Sequence, residues 1–136
     1  MRRAELQTLI TDFQMPEFLA AHDDYKCAAC DDLVQKTVDV QPVGQALLIH
    51  LKRFDSRGRK VVDDVTFPRE LFVGTARYAF AAVVEHQGHT KRRGHYVAYV
   101  QSRKLLCCDD GNVTETTWEH IESRQAYVLA YVRVDR

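Results

Sequence analysis

His95 and the acids Asp109 and Asp110, fourteen and fifteen residues further on, have the types and spacing to do chemistry in this 136-residue chain. Imidazole takes and returns a proton near neutrality. A carboxylate bonded to one ring nitrogen fixes the tautomer and favours the imidazolium formed when the other nitrogen takes a proton. The two together make the base and orienter of a triad. The third member, a nucleophile, decides what such a pair can accomplish.

The elements around them must bring them together. His95 opens the apolar run Tyr96–Val100, a polar break follows at Gln101-Ser102-Arg103-Lys104, and Leu105–Cys108 is apolar again. That pattern predicts a hairpin. With its turn centred near Ser102, His95 and Asp109 face each other across the ladder, Cβ atoms roughly 5 Å apart on one face. A one-residue slip sets Asp110 against the imidazole instead, so the identity of the orienting acid stays open at this point. Gly94 leaves room for another backbone to approach, as a peptide substrate requires. The plain alternative is that Asp109-Asp110-Gly111-Asn112 is simply a turn and His95 an ordinary strand-end histidine.

The remaining elements follow from periodicity. Leu6, Leu9, Ile10 and Phe13 predict a short helix, interrupted by Pro16. Val34–Val40 alternates like an exposed strand, and Leu47, Ile49 and Leu51 alternate with a wetter face of Leu48, His50 and Lys52. Asp55-Ser56-Arg57-Gly58 predicts a turn returning through Lys60–Phe67. Tyr78–Val84, Tyr96–Val100 and Tyr127–Val134 are apolar on both faces, which suits central strands. Thr117 caps one or two helical turns at Trp118–Ile121. The predicted class is α+β, a mostly antiparallel sheet with few short helices, in a single domain over 1–136.

Composition narrows the function classes. Lys plus Arg equals Asp plus Glu at 19 each, so no overall field steers the chain to nucleic acid. No apolar run approaches the roughly twenty residues of a membrane span, and no apolar region of a signal peptide follows Arg2-Arg3. Cys27-Ala28-Ala29-Cys30 and Cys107-Cys108 are not a disulfide framework, which implies a reducing compartment, cytoplasm or nucleus.

Several motifs occur in order: Tyr25-x-Cys27-x-x-Cys30, Leu48-Ile49-His50-Leu51-Lys52-Arg53-Phe54, Val65-Thr66-Phe67-Pro68, Ala82-Val83-Val84-x-His86-x-Gly88, Gly94-His95-Tyr96-Val97-Ala98-Tyr99-Val100, Asp109-Asp110 and Ala126-Tyr127-Val128-Leu129-x-Tyr131. From about Leu6 to the last strand, the chain resembles the C-terminal, palm-and-fingers half of a ubiquitin-specific protease catalytic domain, a papain-like deubiquitinase. The resemblance implies that His95 is the general base, that Asp109 orients it and that Asp110 supports. It implies that Phe54 and Tyr96, beside Gly94, line the groove for ubiquitin's C-terminal tail, with the segment from Gly88 to Arg93 as a covering loop. Cys27 and Cys30 resemble one of the family's two zinc-binding pairs, a half site that closes only if a second cysteine pair comes from outside this chain. The implied partners are ubiquitin or a ubiquitin-conjugated protein, and the missing half or another protein.

The family's nucleophile box, approximately Gly-Asn-Thr-Cys-Tyr, does not occur in these 136 residues. Cys107 and Cys108 read as small buried hydrophobes. Taken alone, the chain is therefore expected not to cleave ubiquitin conjugates, and to expose apolar surface where the other half would pack. Lys91-Arg92-Arg93 is expected to lower the pKa of His95 and to repel an arginine-bearing tail. Two further readings stay open: a catalytically dead ubiquitin-binding or regulatory pseudo-deubiquitinase, and an interaction scaffold that does not contact ubiquitin.

Overall fold

The structure, a computed structural model, describes residues 3–19, 29 and 34–134. Strand β1 (Arg3–Glu5) leads into helix α1 (Leu6–Gln14). The helix has no side-chain N-cap and no acid in its first turn, so packing must hold it, and Leu6 is its buried anchor. It stops because Pro16 forces the preceding Met15 into extended backbone, φ −66° and ψ 142°.

Strands β2 (Glu17–Leu19) and β3 (Val34–Lys36) pair antiparallel as a separate ladder. The expected strand Val34–Val40 is thus shorter than its alternation suggested. Beyond Lys36 the chain turns to α1, where the Val40 N–H donates to Gln14 Oε1 at 3.2 Å.

The remaining elements are β4 (Ala46–His50), β5 (Asp64–Thr66), β6 (Glu70–Val73), β7 (Ala76–Thr90), β8 (Arg93–Gln101), β9 (Leu105–Asp109), β10 (Asn112–Glu115), α2 (Trp118–Glu122) and β11 (Ala126–Arg133). Among the described residues the main sheet has seven strands, ordered β10-β9-β8-β7-β11-β4, with β6 also paired to β7. Its pairings are antiparallel; β1 and β5 pair in parallel. The three runs that are apolar on both faces lie in β7, β8 and β11, the interior of the sheet, as expected for strands covered on both sides.

The turn after Phe54 forms, and its predicted return through Lys60–Phe67 pairs back only as far as Val61, whose N–H donates to the Arg53 carbonyl at 2.6 Å. Gly58, at φ 75°, donates its N–H to the Asp55 carbonyl at 2.9 Å, and Phe54 bridges to Lys60. Buried Arg53 then takes hold of the segment: Nη1 donates to the Asp63 carbonyl at 2.5 Å, and Nε to the Ala126 carbonyl at 2.8 Å. The chain is bent away from β4 and becomes β5 beside β1.

Cross-strand registers build the core face as one row: Ile49 on β4, Leu129 on β11, Val83 on β7, Tyr99 on β8 and Cys107 on β9. Helix α2 covers this face. Thr117 Oγ1 accepts the His120 N–H at 3.3 Å as the N-cap, Ile121 is fully buried, and Trp118 packs edge-on against Phe80 at 5.1 Å. Burial of Ile121 and Leu129 contributes roughly 1.5–3 kcal/mol each. At the β4 edge the picture reverses: Leu48 is 72 % exposed, and Phe13 of α1 is exposed too.

Candidate active site

The β8–β9 hairpin decides which acid meets His95. Gln101 pairs with Leu105, and the Ser102 N–H donates to the Lys104 carbonyl at 2.9 Å, so the turn centres on Arg103, one residue later than predicted. Moving the centre by one residue moves the register by two. Continued from Ala98 opposite Cys108, this register sets Asp109 beside Val97, not directly across from His95. Side chains alternate with period two, so Asp109 still projects on the histidine's face. The contact closes as a diagonal, His95 Nε2 to Asp109 Oδ1 at 2.5 Å. The one-residue slip that would have presented Asp110 does not occur. Asp110 sits at φ 49° in the tight turn between Asp109 and Asn112, exposed at the tip. Even so, one imidazole nitrogen of His95 and one carboxylate oxygen each of Asp109 and Asp110 lie within 4.8 Å of one another.

Both partners are about half open to solvent, His95 44 % and Asp109 49 % by side chain. The hydrogen bond to Asp109 and then its charge raise the His95 pKa above the ordinary 6.5, with a smaller lift from Asp110. The expected lowering by Lys91-Arg92-Arg93 does not appear. Those cations are exposed on a hairpin tip where solvent screens them, whereas Asp109 is in contact. With Nε2 engaged, Nδ1 is the nitrogen left to take a proton from a reacting group.

Alternation sends the neighbours of His95 to the opposite face of β8. There Tyr96 pairs across the ladder with His86 of β7, and their rings lie 4.9 Å apart. His86 is 2 % exposed, with Phe54 at 5.6 Å and Tyr127 at 5.8 Å completing its surroundings. Tyr127 reaches this cluster because β11 is bulged between Ala126 and Val128, which re-aims its ring. The structure thus brings together His95, Asp109 and Asp110 on one face, and Phe54 and Tyr96 on the other, around His86, a motif position to which the sequence assigned no role.

The room expected above Gly94 is already filled. A Cβ there would lie 2.2 Å from His86 Nε2 and 2.7 Å from the Gln87 carbonyl oxygen. Glycine is needed because the chain packs against itself. Nor is the Gly88–Arg93 segment a loop: β7 runs to Thr90 and β8 starts at Arg93, leaving a two-residue tip. Gly88, at φ 153°, absorbs the irregularity between Gln87 and Thr90 that lets the strands continue.

Cys107 lies on the core face beside Tyr99, and burial followed by the Asp109 charge pushes its thiol pKa up, which makes it a poor nucleophile. Cys108 is half-buried on the opposite face. Cys27 and Cys30 lie outside the described residues, as does His22.

Residues 13–131 match the family described as "Ubiquitin carboxyl-terminal hydrolase". The chain belongs to this family. Among curated proteins it is 27 % identical over 148 residues to ubiquitin carboxyl-terminal hydrolase 25 of Arabidopsis thaliana, covering 98 % of this chain and 22 % of that protein. It is 30 % identical over 142 residues to the human ubiquitin carboxyl-terminal hydrolase 17-like protein 5, covering 94 % and 27 %. Among solved structures it is similar to the SAGA Ubp8/Sgf11/Sus1/Sgf73 DUB module bound to ubiquitin aldehyde, with TM-score 0.81, 22 % identity, and coverage of 98 % of this chain and 36 % of that one. A second structure of that module gives TM-score 0.82 at 21 % identity, covering 98 % and 34 %. The chain therefore spans about a quarter of the length of these curated relatives and about a third of the solved chains. The fold is that of part of a papain-like ubiquitin-specific protease catalytic domain. No helix among the described residues is long and apolar enough to cross a membrane.

Proposed function

We propose that this chain supplies the base side of a deubiquitinase active site. His95 is the general base, Asp109 orients it and Asp110 supports it, and the thiol they serve comes from outside these 136 residues. A cysteine thiolate, its proton taken by His95, attacks the carbonyl of ubiquitin's terminal glycine and forms a thioester. His95 then protonates the departing lysine amine and later activates the water that releases the acyl group. Asp109 holds the imidazole throughout. The observation that carries the reading is the 2.5 Å His95–Asp109 contact at a half-open strand end, which leaves Nδ1 to receive the proton. Support also comes from the family membership and from a structural relative that is bound to ubiquitin aldehyde.

The ubiquitin tail is proposed to pass over Phe54 and Tyr96. Titrating the isotope-labelled chain with ubiquitin is expected to shift resonances of Phe54, Gly94, His95 and Tyr96. A flat titration would remove the ubiquitin reading and favour a scaffold. With a fluorogenic ubiquitin substrate, the chain alone is expected to give no turnover. Turnover abolished by His95→Ala would show that the nucleophile is in this chain after all. The second reading is a regulatory role, in which ubiquitin binds and is not cleaved. Joining the chain to a Cys-box segment from a relative separates the two: His95-dependent turnover supports the catalytic reading, and binding without turnover the regulatory one.

A further inference from the structure

We infer that His86 is the positioning residue of this site: its buried ring, wedged over Gly94 from the face opposite His95, sets where the imidazole of His95 meets Asp109. The inference rests on His95 being the base, and it concerns the free chain, so it can fail independently of ubiquitin binding.

The geometry is specific. Gly94 and Tyr96 flank His95 on the strand and project to the face that His86 occupies. The Nε2 edge of His86 stands where a Gly94 side chain would be, and its ring packs on Tyr96, so both neighbours of His95 are held by one residue. Phe54 and Tyr127 close the ring in from the remaining sides. Lys60 donates to the His86 carbonyl, tying the turn after Phe54 to the same strand position. Backbone pairing restrains His95 from one side only, through its partner Gln87 on β7. The β7–β8 register is irregular between Gln87 and Thr90, one residue beyond the pair Gln87–His95. The β8–β9 pairing, for its part, ends at Ala98–Cys108 and does not reach His95. His95 is thus held on one side by its pairing with Gln87, and the wedge supplies the second restraint on its backbone.

His86 also carries the signature of a residue kept for placement. Its Nδ1 is buried with no hydrogen-bond partner among the described residues, a state that costs stability and that a phenylalanine would avoid. Burial, and then the charge of Lys60, hold His86 neutral. The groups facing His95 are Asp109 and Asp110, and the charged group facing His86 is Lys60.

The test reads His95 while altering His86. Two-bond proton–nitrogen correlation spectra resolve the protonation of each ring across a pH titration. In wild type, His86 is expected to stay neutral as a single tautomer while His95 titrates above the ordinary value. In a folded His86→Ala variant the His95 midpoint is expected to fall back toward 6.5, the ordinary value, as the Asp109 contact loosens. His86→Phe keeps a flat ring at Gly94 and is expected to restore the wild-type curve. An unchanged His95 curve in His86→Ala overturns the inference. A fall in both variants overturns it as well, since the ring's nitrogens and not its wedge would then be responsible. Should His86→Ala not fold, Phe54→Ala takes its place by opening one wall around the ring: the same fall is expected, and an unchanged curve refutes the wedge.

Discussion

Gly94→Ala is the sharpest single perturbation of the site. A methyl group at Gly94 would meet His86 Nε2 at 2.2 Å, short of ordinary contact by more than an ångström, and the Gln87 carbonyl oxygen at 2.7 Å. The imidazole has nowhere to retreat, with Tyr96, Phe54 and Tyr127 around it, and the carbonyl belongs to a paired strand. Overpacking of this kind costs about 1–3 kcal/mol. For a domain of this size that lowers Tm by about 4–12 °C. The matched control is Gly111→Ala, whose methyl group would meet nothing within 4 Å and which should change stability by less than about 0.5 kcal/mol. Circular-dichroism melts and urea titrations of both variants measure the difference. Adding His86→Ala to Gly94→Ala should recover the share of the loss due to the ring and leave the share due to the carbonyl, so the two substitutions should be non-additive. If Gly94→Ala melts with the wild type, or if the pair is simply additive, the ring does not lie over Gly94 and the reasoning fails.

The two histidines should also give opposite pH dependences. His95 has a raised folded pKa, so its contribution is fully present below the unfolded value of 6.5 and is lost as pH rises through the folded value. The advantage of wild type over Asp109→Asn in urea should therefore be larger near about pH 5.5 than near about pH 8.5. His86 has a lowered folded pKa, so it withdraws stability as pH falls from 6.5 through the folded value. His86→Phe should gain relative to wild type over that same range in pH-dependent melts. Arg53→Met leaves the Ala126 carbonyl dry in the core and should cost about 1–3 kcal/mol by urea denaturation. Tyr131→Phe removes a 2.8 Å hydrogen bond to the Pro68 carbonyl and should cost about 1 kcal/mol in the same assay. The Tyr131 phenol itself, pushed up by burial, should resist ionisation in an alkaline absorbance titration.

Residue order alone determined the strongly periodic parts of this protein. The α1 face, the interior strands β7, β8 and β11, and the Thr117-capped α2 are legible because burial imposes a local period that neighbouring residues must obey. His95 and an acid on one face of a hairpin were legible for the same reason: face depends only on odd or even spacing, which survived the move of the turn centre to Arg103. Tertiary structure decided what parity cannot encode. It selected Asp109 over Asp110 through a register set at the turn, and it bent the chain after Phe54 because Arg53 reaches carbonyls at Asp63 and Ala126. It also replaced the expected opening at Gly94 with the ring of His86, eight residues away in sequence and on the neighbouring strand. Such contacts depend on which side chains the packed sheet places within reach, and no local pattern in the sequence carries that information.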